Sequence, residues 1–321
     1  MEEEQAVLHK DLLSLENLSR NEIEGLLRLA LDLKLRLTVG EKLSHLTGQR
    51  LVLLFYEPST RTRVSFAQAA YLGGAEVISV TTNTSSVTKG ESLVDTARTL
   101  EAAGASALVL RHQAAGAATL VASRVSIPVI NAGDGWHAHP TQTLLDLLTV
   151  QEKRGRIDGL KVAIIGDVLH SRVARSNIDA FSRLGAKVLV AGPPTLLPLG
   201  LPELGAEVIS DPAAAIADAD VIYLLRIQRE RQAEGYLASL SEYNRLWGLN
   251  NDFLAQAPAE AIVMHPGPAN IGVEVGSDVA FGPQAQFTKQ VSNGVLVRLA
   301  VLTILLRGEK QCFRRSHAVA F

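Results

Sequence analysis

The sequence predicts an α/β fold of two domains, each a mostly parallel sheet with helices on both faces, joined by long helices. Three observations predict it. At about 150 residues per domain, a length of 321 residues suggests two domains. Short apolar runs alternate with helix-like segments in two successive series. The runs lack strict polar–apolar alternation, which is typical of strands buried on both faces of a parallel sheet.

The first series opens with a helix. Apolar residues recur at helical spacing over 18–37, and Ser19 followed by Glu22 predicts a capping box at the start of that helix. Beyond it, we predict strands at 50–56, 76–80, 107–110 and 128–131, and helices at 61–72, 93–103 and 117–123.

A helix over 141–150 leads into the second series. Its predicted strands are 161–166, 187–191, 207–209, 220–225 and 261–265, with a prominent helix at 172–184. We expect the last helix, about 284–306, to pack back onto the first domain. The predicted domains are therefore 1–139, completed by 292–321, and 140–291, with a ligand site in the cleft between two α/β halves.

Composition excludes several classes of protein. A 47% hydrophobic share and a mean hydropathy of +0.16 are enough to bury real cores, which excludes wholesale disorder. Basic residues number 31 and acidic residues 33, which argues against a nucleic-acid binder that depends on an overall basic surface. The single cysteine, Cys312, can form neither an internal disulfide nor a metal cluster. The acidic N-terminus and the interruption of the longest apolar stretch by Arg298 lead us to expect a cytoplasmic protein without a membrane span.

The strongest motif is Ser59-Thr-Arg-Thr-Arg63, which lies between an apolar strand and a helix. Such a turn directs free backbone N–H groups outward, and the helix dipole favours an anion there. The hydroxyls of Ser59, Thr60 and Thr62 add donors, and Arg61 adds a forked charge suited to phosphate. An ordinary helix cap would need one hydroxyl and no pair of arginines.

Four weaker features accompany this motif. His139 and Gln142 stand at the start of the helix after 128–131. The polar run 82–91 contains Lys89, which alone would be a solvated side chain. Alternation puts Arg226 and Gln228 on one side of the chain after a strand, and the turn His265-Pro-Gly-Pro268 could offer bare carbonyls to a ligand.

Two cofactor hypotheses fail on the sequence. A metal site would require His137 and His139 to converge with His170 or His265, and the chain has no metalloprotease-type spacing of histidines. Gly166 stands alone where a dinucleotide site needs three glycines, and there is no P-loop. We therefore expect neither metal nor cofactor.

Taken together, these residues resemble the catalytic chain of the aspartate carbamoyltransferases, nearly end to end. Ser59-Thr-Arg-Thr-Arg63 looks like the carbamoyl-phosphate signature shared by aspartate and ornithine carbamoyltransferases, and both also have His139-Pro-Thr-Gln142. Ornithine enzymes are expected to show a His-Cys-Leu-Pro turn and a Ser-Met-Gly element. This chain has His265-Pro-Gly-Pro268 and Arg226-Ile-Gln228 instead, so the resemblance favours aspartate.

The resemblance implies that the amine of aspartate attacks carbamoyl phosphate, a step of pyrimidine biosynthesis. It implies a domain for carbamoyl phosphate at 1–139 and one for aspartate at 140–291. It also implies a homotrimer with shared active sites, in which Ser85 and Lys89 come from the neighbouring subunit. The catalytic residues it implies are Arg61, Thr62, Arg111 and His139. Carbamoyl phosphate would be bound by these and by Ser59, Thr60, Ser85, Lys89, Gln142, Gly267 and Pro268; aspartate would be bound by Lys89, Arg172, Arg226 and Gln228.

Departures and alternatives remain. Ile271 stands where the family pattern often has an arginine, and Ala67 and Gln68 replace a commoner stretch that contains glutamate; we expect altered ion pairs rather than altered activity. One alternative function is a carbamoyltransferase with another amine acceptor, such as ornithine. Another is an inactive homologue that acts as an assembly partner, although the phosphate-site residues are all present. The sequence leaves open whether a regulatory chain or a dihydroorotase partner binds.

Overall fold

The fold is described from a computed structural model, which covers residues 10–81, 90–228 and 236–307. These residues form two compact units. The first comprises the described residues up to Leu144 together with those from Val291 onward, and the second is Leu145–Gln290. Ser85 and Lys89 lie outside the described residues.

The first unit is built on a four-stranded parallel sheet. Its strands are β1 (Arg50–Phe55), β2 (Glu76–Thr81), β3 (Ala107–His112) and β4 (Val129–Asp134), in the spatial order β2-β1-β3-β4. Parallel neighbours require crossover connections. Its helices are α1 (Arg20–Thr38), α2 (Thr60–Gly73), α3 (Leu93–Ala102) and α4 (Ala117–Ala122).

The second unit contains a five-stranded parallel sheet in the order β7-β6-β5-β8-β9. The strands are β5 (Lys161–Ile165), β6 (Lys187–Ala191), β7 (Ala206–Val208), β8 (Val221–Leu224) and β9 (Ile262–Met264). The helices are α6 (Arg172–Arg183), α7 (Pro212–Ile216), α8 (Leu240–Trp247), α9 (Asn251–Leu254) and α10 (Ser277–Ala280), with 3-10 turns at Pro194–Leu196 and Pro202–Leu204.

Two longer helices each contain a boundary between the units: α5 (Pro140–Arg154) and α11 (Phe287–Arg307). By length and composition α11 could cross a membrane, but 67% of its apolar window is buried inside the protein. Arg298, the charge within it, donates to the hydroxyl of Ser65 on α2 at 2.7 Å and lies over the ring of Phe66. Its carboxyl-terminal part is thus a core helix of the first unit.

The predicted α/β class with two parallel sheets flanked by helices is confirmed, and so is the capping box of α1 at Ser19 and Glu22. The last helix begins at Phe287 rather than near 284. The reason is that the chain over 284–286 pairs with β9: Val263 exchanges backbone hydrogen bonds with Gln284 and Gln286. Residues 284–286 therefore form extended pairing with β9, although helical periodicity assigns them to the helix. The short helices α7 to α10 carry too few turns for periodicity to reveal them.

A buried carboxylate ties four elements of the second unit together. Asp146 on α5 is fully buried and accepts hydrogen bonds from Tyr223 Oη on β8 at 2.7 Å and from Asn177 Nδ2 on α6 at 3.0 Å. Gln290 Nε2 on α11 donates to its other oxygen at 2.8 Å. Because a buried charge is costly unless it is hydrogen-bonded, each donor offsets part of the free-energy cost of burying this carboxylate.

We therefore expect Tyr223→Phe to lower the free energy of unfolding by about 1–3 kcal/mol, since it leaves a buried carboxylate without one of its donors. Urea denaturation measures the change. Phe281→Tyr is the matched control, because it also changes one ring hydroxyl in the second unit, on a side chain that is 84% exposed, and surface substitutions usually change stability by less than about 0.5 kcal/mol. Equal stabilities of the two variants would contradict the assigned role of the Asp146 network.

Candidate functional site

The β1–α2 turn presents an open helix N-terminus. Ser59 occupies the N-cap position in extended conformation, but among the described residues no side chain caps α2, and its first turn contains no acid. Thr62 is buried at 6% exposure, whereas Thr60 and Arg61 are exposed. The free N–H groups of the first turn, the hydroxyls and one guanidinium therefore remain for an anion.

Arg111 lies at the end of β3, beside this turn. Phe55 is its register partner on β1, and Tyr56 N–H donates to its carbonyl at 2.8 Å. Its Nε lies 3.4 Å from the carboxylate of Glu57, and its Nη1 donates to the carbonyl of Ala132 at 3.0 Å. With only 14% of the side chain exposed, these contacts hold the guanidinium in place at the carboxyl end of the first sheet.

The β4–α5 turn is organised by Asp134, which is 1% exposed. Its carboxylate accepts from Gly116 N–H at 2.8 Å, from Ala138 N–H at 3.2 Å and lies 3.1 Å from His137 Nδ1. Gly135 has φ +48°, and a Cβ there would lie 2.6 Å from Ala115 N, so only glycine fits. The turn delivers two buried side chains to the start of α5, His139 and Gln142.

The β5–α6 turn of the second unit is built in the same way. Asp167, 1% exposed, accepts from the N–H of His170 at 3.1 Å and lies 2.9 Å from its Nδ1. Ser171 caps α6 by accepting from Ala174 N–H. The first residue of α6 is Arg172, a buried arginine at 5% exposure.

Two of the residues that the sequence assigns to aspartate binding follow β8. Arg226 and Gln228 are half-buried, and Ile227 between them is 2% exposed. This alternation puts the two polar side chains on the side opposite to Ile227. Gln228 Nε2 reaches the carbonyl of His170 at 3.4 Å, which connects this segment to the β5–α6 turn.

The turn after β9 contains the third histidine–carboxylate pair. His265 Nε2 lies 3.2 Å from Glu274, and both side chains are 1% exposed. The next residues are Gly267, in the left-handed region at φ +63°, and Pro268, joined to it by a cis peptide bond. Gly267 and Pro268 are respectively half-buried and exposed, so this turn is accessible to a ligand.

Tyr243 on α8 contributes a buried hydroxyl to the second unit. Burial raises the pKa of Tyr243, and the negative charges of Glu274 and Asp167 raise it further. Tyr243 therefore remains a neutral phenol at any physiological pH.

The predicted residues fall into two sets, one in each unit, at the carboxyl ends of the parallel strands. Sequence reasoning missed the buried acids behind them, although an acid three residues before a histidine at the end of a strand is a usable signal for Asp134 and Asp167.

Within the described residues no group of three His, Cys, Asp or Glu could hold a metal ion. The first unit contributes Ser59, Thr60, Arg61, Thr62, Arg111, His139 and Gln142; the second contributes Arg172, Arg226, Gln228, Gly267 and Pro268.

Comparison with known proteins identifies relatives of both units. Residues 10–152 match the carbamoyl-phosphate-binding domain of the aspartate/ornithine carbamoyltransferases, and residues 158–305 match the Asp/Orn-binding domain. A curated relative from Pelotomaculum thermopropionicum, an aspartate carbamoyltransferase catalytic subunit, is 52% identical over 94% of this chain and 98% of its own length.

Solved structures agree with this relationship. The aspartate transcarbamoylase of Trypanosoma cruzi in complex with carbamoyl phosphate and aspartate has a TM-score of 0.83 and 31% identity, covering 91% of this chain and 94% of its own. The ornithine carbamoyltransferase of Pyrococcus furiosus has a TM-score of 0.85 and 31% identity, covering 93% and 97%. With both domain models matched in order and half of the residues shared with a full-length relative, this chain belongs to the aspartate/ornithine carbamoyltransferase family.

Proposed function

We propose that this chain transfers the carbamoyl group of carbamoyl phosphate to the amine of L-aspartate, giving N-carbamoyl-L-aspartate and phosphate. The observation that carries the proposal is the uncapped start of α2, where Ser59-Thr-Arg-Thr-Arg63 leaves N–H groups, hydroxyls and a guanidinium available to a phosphate. The aspartate carbamoyltransferase relatives, at about half of all residues identical, support the choice of aspartate.

The phosphate is bound in the first unit. Its oxygens accept hydrogen bonds from the first-turn N–H groups and hydroxyls of α2, and the arginines neutralise its charge. Arg111 suits this role because Glu57 and the Ala132 carbonyl already orient it, so little side-chain entropy is lost on binding. The residues proposed for the phosphate are Ser59, Thr60, Arg61, Thr62 and Arg111, with Ser85 and Lys89 from a neighbour.

The carbamoyl group is polarised and oriented by a second set of contacts. Thr62, Arg111 and His139 donate to its carbonyl oxygen, which gains negative charge as the tetrahedral intermediate forms. Gln142 and the backbone carbonyls of Gly267 and Pro268 orient the NH2 group. Polar groups fixed before the substrate arrives stabilise the developing charge without reorganising during the reaction.

Aspartate is bound by the second unit. Arg172, Arg226 and Gln228 bind its two carboxylates, with help from Lys89 of a neighbour. Two guanidiniums suit a dianionic amino acid and repel the side-chain cation of ornithine. The hydrogen bond from Gln228 to the carbonyl of His170 supports this grouping, because it joins the segment of Arg226 to the turn that precedes Arg172.

The reaction needs no general base from the protein in this proposal. The aspartate amine forms a bond to the carbamoyl carbon, the bond from that carbon to the phosphate oxygen breaks, and the departing phosphate accepts the proton of the amine. Catalysis then depends on positioning and electrostatic stabilisation, which can together supply most of an enzymatic rate acceleration.

The working unit is a homotrimer with shared active sites. Two elements that precede residues 82–89 in the sequence support it: within the described residues β2 is an edge strand with Val77 and Ile78 exposed, and α2, which packs against β2, exposes Val64 and Tyr71. An exposed sheet edge can pair with another chain, and contiguous exposed apolar residues mark protein–protein contacts. A head-to-tail contact that brings Ser85 and Lys89 to a neighbour closes into a ring.

We expect Arg226→Ala to raise the KM for aspartate at least tenfold and to lower kcat, because an ion pair to one substrate carboxylate is lost. Inhibition by inorganic phosphate should stay unchanged. Steady-state carbamoylation assays with aspartate and with ornithine measure both effects. If ornithine proves to be the better acceptor of the unmodified enzyme, the aspartate assignment is wrong.

Shared sites can be tested by mixing two inactive variants, Lys89→Ala and His139→Ala. In a ring, every hybrid trimer has one junction that joins an intact His139 to an intact Lys89. Random equal mixing makes about three-quarters of the trimers hybrid with one good site in three, so roughly a quarter of the original activity should return. Activity that stays at the level of the separate variants, although hybrids form, would show that Lys89 acts in its own subunit.

A further inference from the structure

The turn 266–270 after β9 is held by a histidine and a carboxylate that the proposed reaction does not use. The Nδ1 of His265 accepts from the N–H of Gly267 at 2.8 Å. A neutral imidazole that accepts at Nδ1 has its proton on Nε2, and that atom lies 3.2 Å from Oε1 of Glu274. The ring therefore donates to the carboxylate and accepts from the turn.

The same carboxylate also holds the far end of the turn. Oε1 of Glu274 accepts from the N–H of Asn270 at 2.8 Å, so one buried oxygen is bonded to His265 and to Asn270. The backbone is thereby fixed at Gly267 and at Asn270, on either side of Pro268. Because both side chains are 1% exposed, water does not compete for these bonds.

These contacts engage the N–H groups of Gly267 and Asn270 and leave the carbonyl oxygens of the turn available as acceptors. Within the described residues, nothing donates a hydrogen bond to the carbonyl oxygen of Gly267 or Pro268. A turn with fixed N–H groups and two available acceptors is suited to a ligand that presents an NH2 group. A methyl group in the same place would leave both acceptors without a partner.

We propose that His265 and Glu274 are positioning residues that aim the carbonyls of Gly267 and Pro268, and that the pair thereby makes the enzyme prefer a carbamoyl group to an acetyl group on the phosphate. The inference rests on the proposed function, in which these carbonyls accept from the NH2 of carbamoyl phosphate. The inference assigns the selectivity for the carbamoyl group to His265 and Glu274, and this role is independent of phosphate binding.

The test compares three ligands on the full-length enzyme. Steady-state assays give the KM for carbamoyl phosphate and the inhibition constants of acetyl phosphate and inorganic phosphate, both competing with it. Glu274→Ala should raise the KM for carbamoyl phosphate about tenfold, equivalent to about 1.4 kcal/mol. The constants for acetyl phosphate and inorganic phosphate should change by less than about twofold, because neither ligand has an NH2 group for the two carbonyls.

Two further variants separate positioning from stability. Glu274→Gln keeps an oxygen that can accept from both His265 and Asn270, so it should retain most of the selectivity. Tyr223→Phe weakens a buried hydrogen bond elsewhere in the second unit and should leave the ratio of the three constants unchanged. Where Glu274→Ala does not fold, Glu274→Asp replaces it, because it keeps the charge but shortens the reach; it should show the same selective loss.

Failure of the inference and failure of the proposed function give different results. An unmodified enzyme that does not carbamoylate aspartate contradicts the function. An active unmodified enzyme that binds acetyl phosphate as tightly as carbamoyl phosphate contradicts the proposal that the carbonyls of Gly267 and Pro268 recognise the NH2 group. Folded Glu274 variants that weaken all three ligands equally, or none of them, show that the pair does not aim the carbonyls.

Discussion

Buried carboxylates that accept backbone N–H groups hold the candidate site in place. Asp134, Asp167 and Glu274 each lie behind a turn at the end of a parallel strand, and each is 1% exposed. Each accepts from at least one N–H of its turn and also contacts a histidine ring. A parallel sheet delivers its strand ends to one edge but leaves the loops there undetermined. Hydrogen bonds from backbone N–H groups to a buried acid restrict the conformation of such loops, and in this way the three acids fix the turns that contain His139, Arg172 and Gly267.

Much of this architecture could be predicted from the residues alone, and the reason is periodicity. The apolar runs of β1, β5 and β6 and the capping box of α1 are local patterns with a local cause, so they were predicted within one or two residues. The start of α11 was not, because it depends on pairing with β9, a contact between distant parts of the sequence. The same limit applied to the site: Ser59-Thr-Arg-Thr-Arg63 is a contiguous motif, whereas the contact of Arg111 with Glu57 joins residues far apart in sequence.

Aspartate and ornithine carbamoyltransferases share the overall backbone fold of this chain. An aspartate enzyme and an ornithine enzyme match this chain with nearly equal TM-scores and equal identity. This similarity is consistent with the proposal that a few side chains after β8 and β9 select the amine. Arg226-Ile-Gln228 occupies a segment whose backbone is set by a buried isoleucine, so its polar side chains can change between branches without disturbing the core. Conversely, Ile271, where the family often has arginine, is 46% exposed and needs no charged partner.

The burial of Arg298 has a consequence for the order in which the two units can be completed during synthesis. Its contacts with Ser65 and Phe66, like that of Thr303 with His45, join the end of the chain to its beginning. During synthesis, the amino-terminal sheet leaves the ribosome about 150 residues before α11 does, an interval on the order of 10–30 s at usual elongation rates. Throughout that interval α2 lacks the helix that packs against it. Leu145–Gln290, by contrast, is continuous and has every one of its strands before α11 is finished. The later-made unit is thus the first that can be completed, which reverses the usual amino-to-carboxyl order and leaves the first unit dependent on α11.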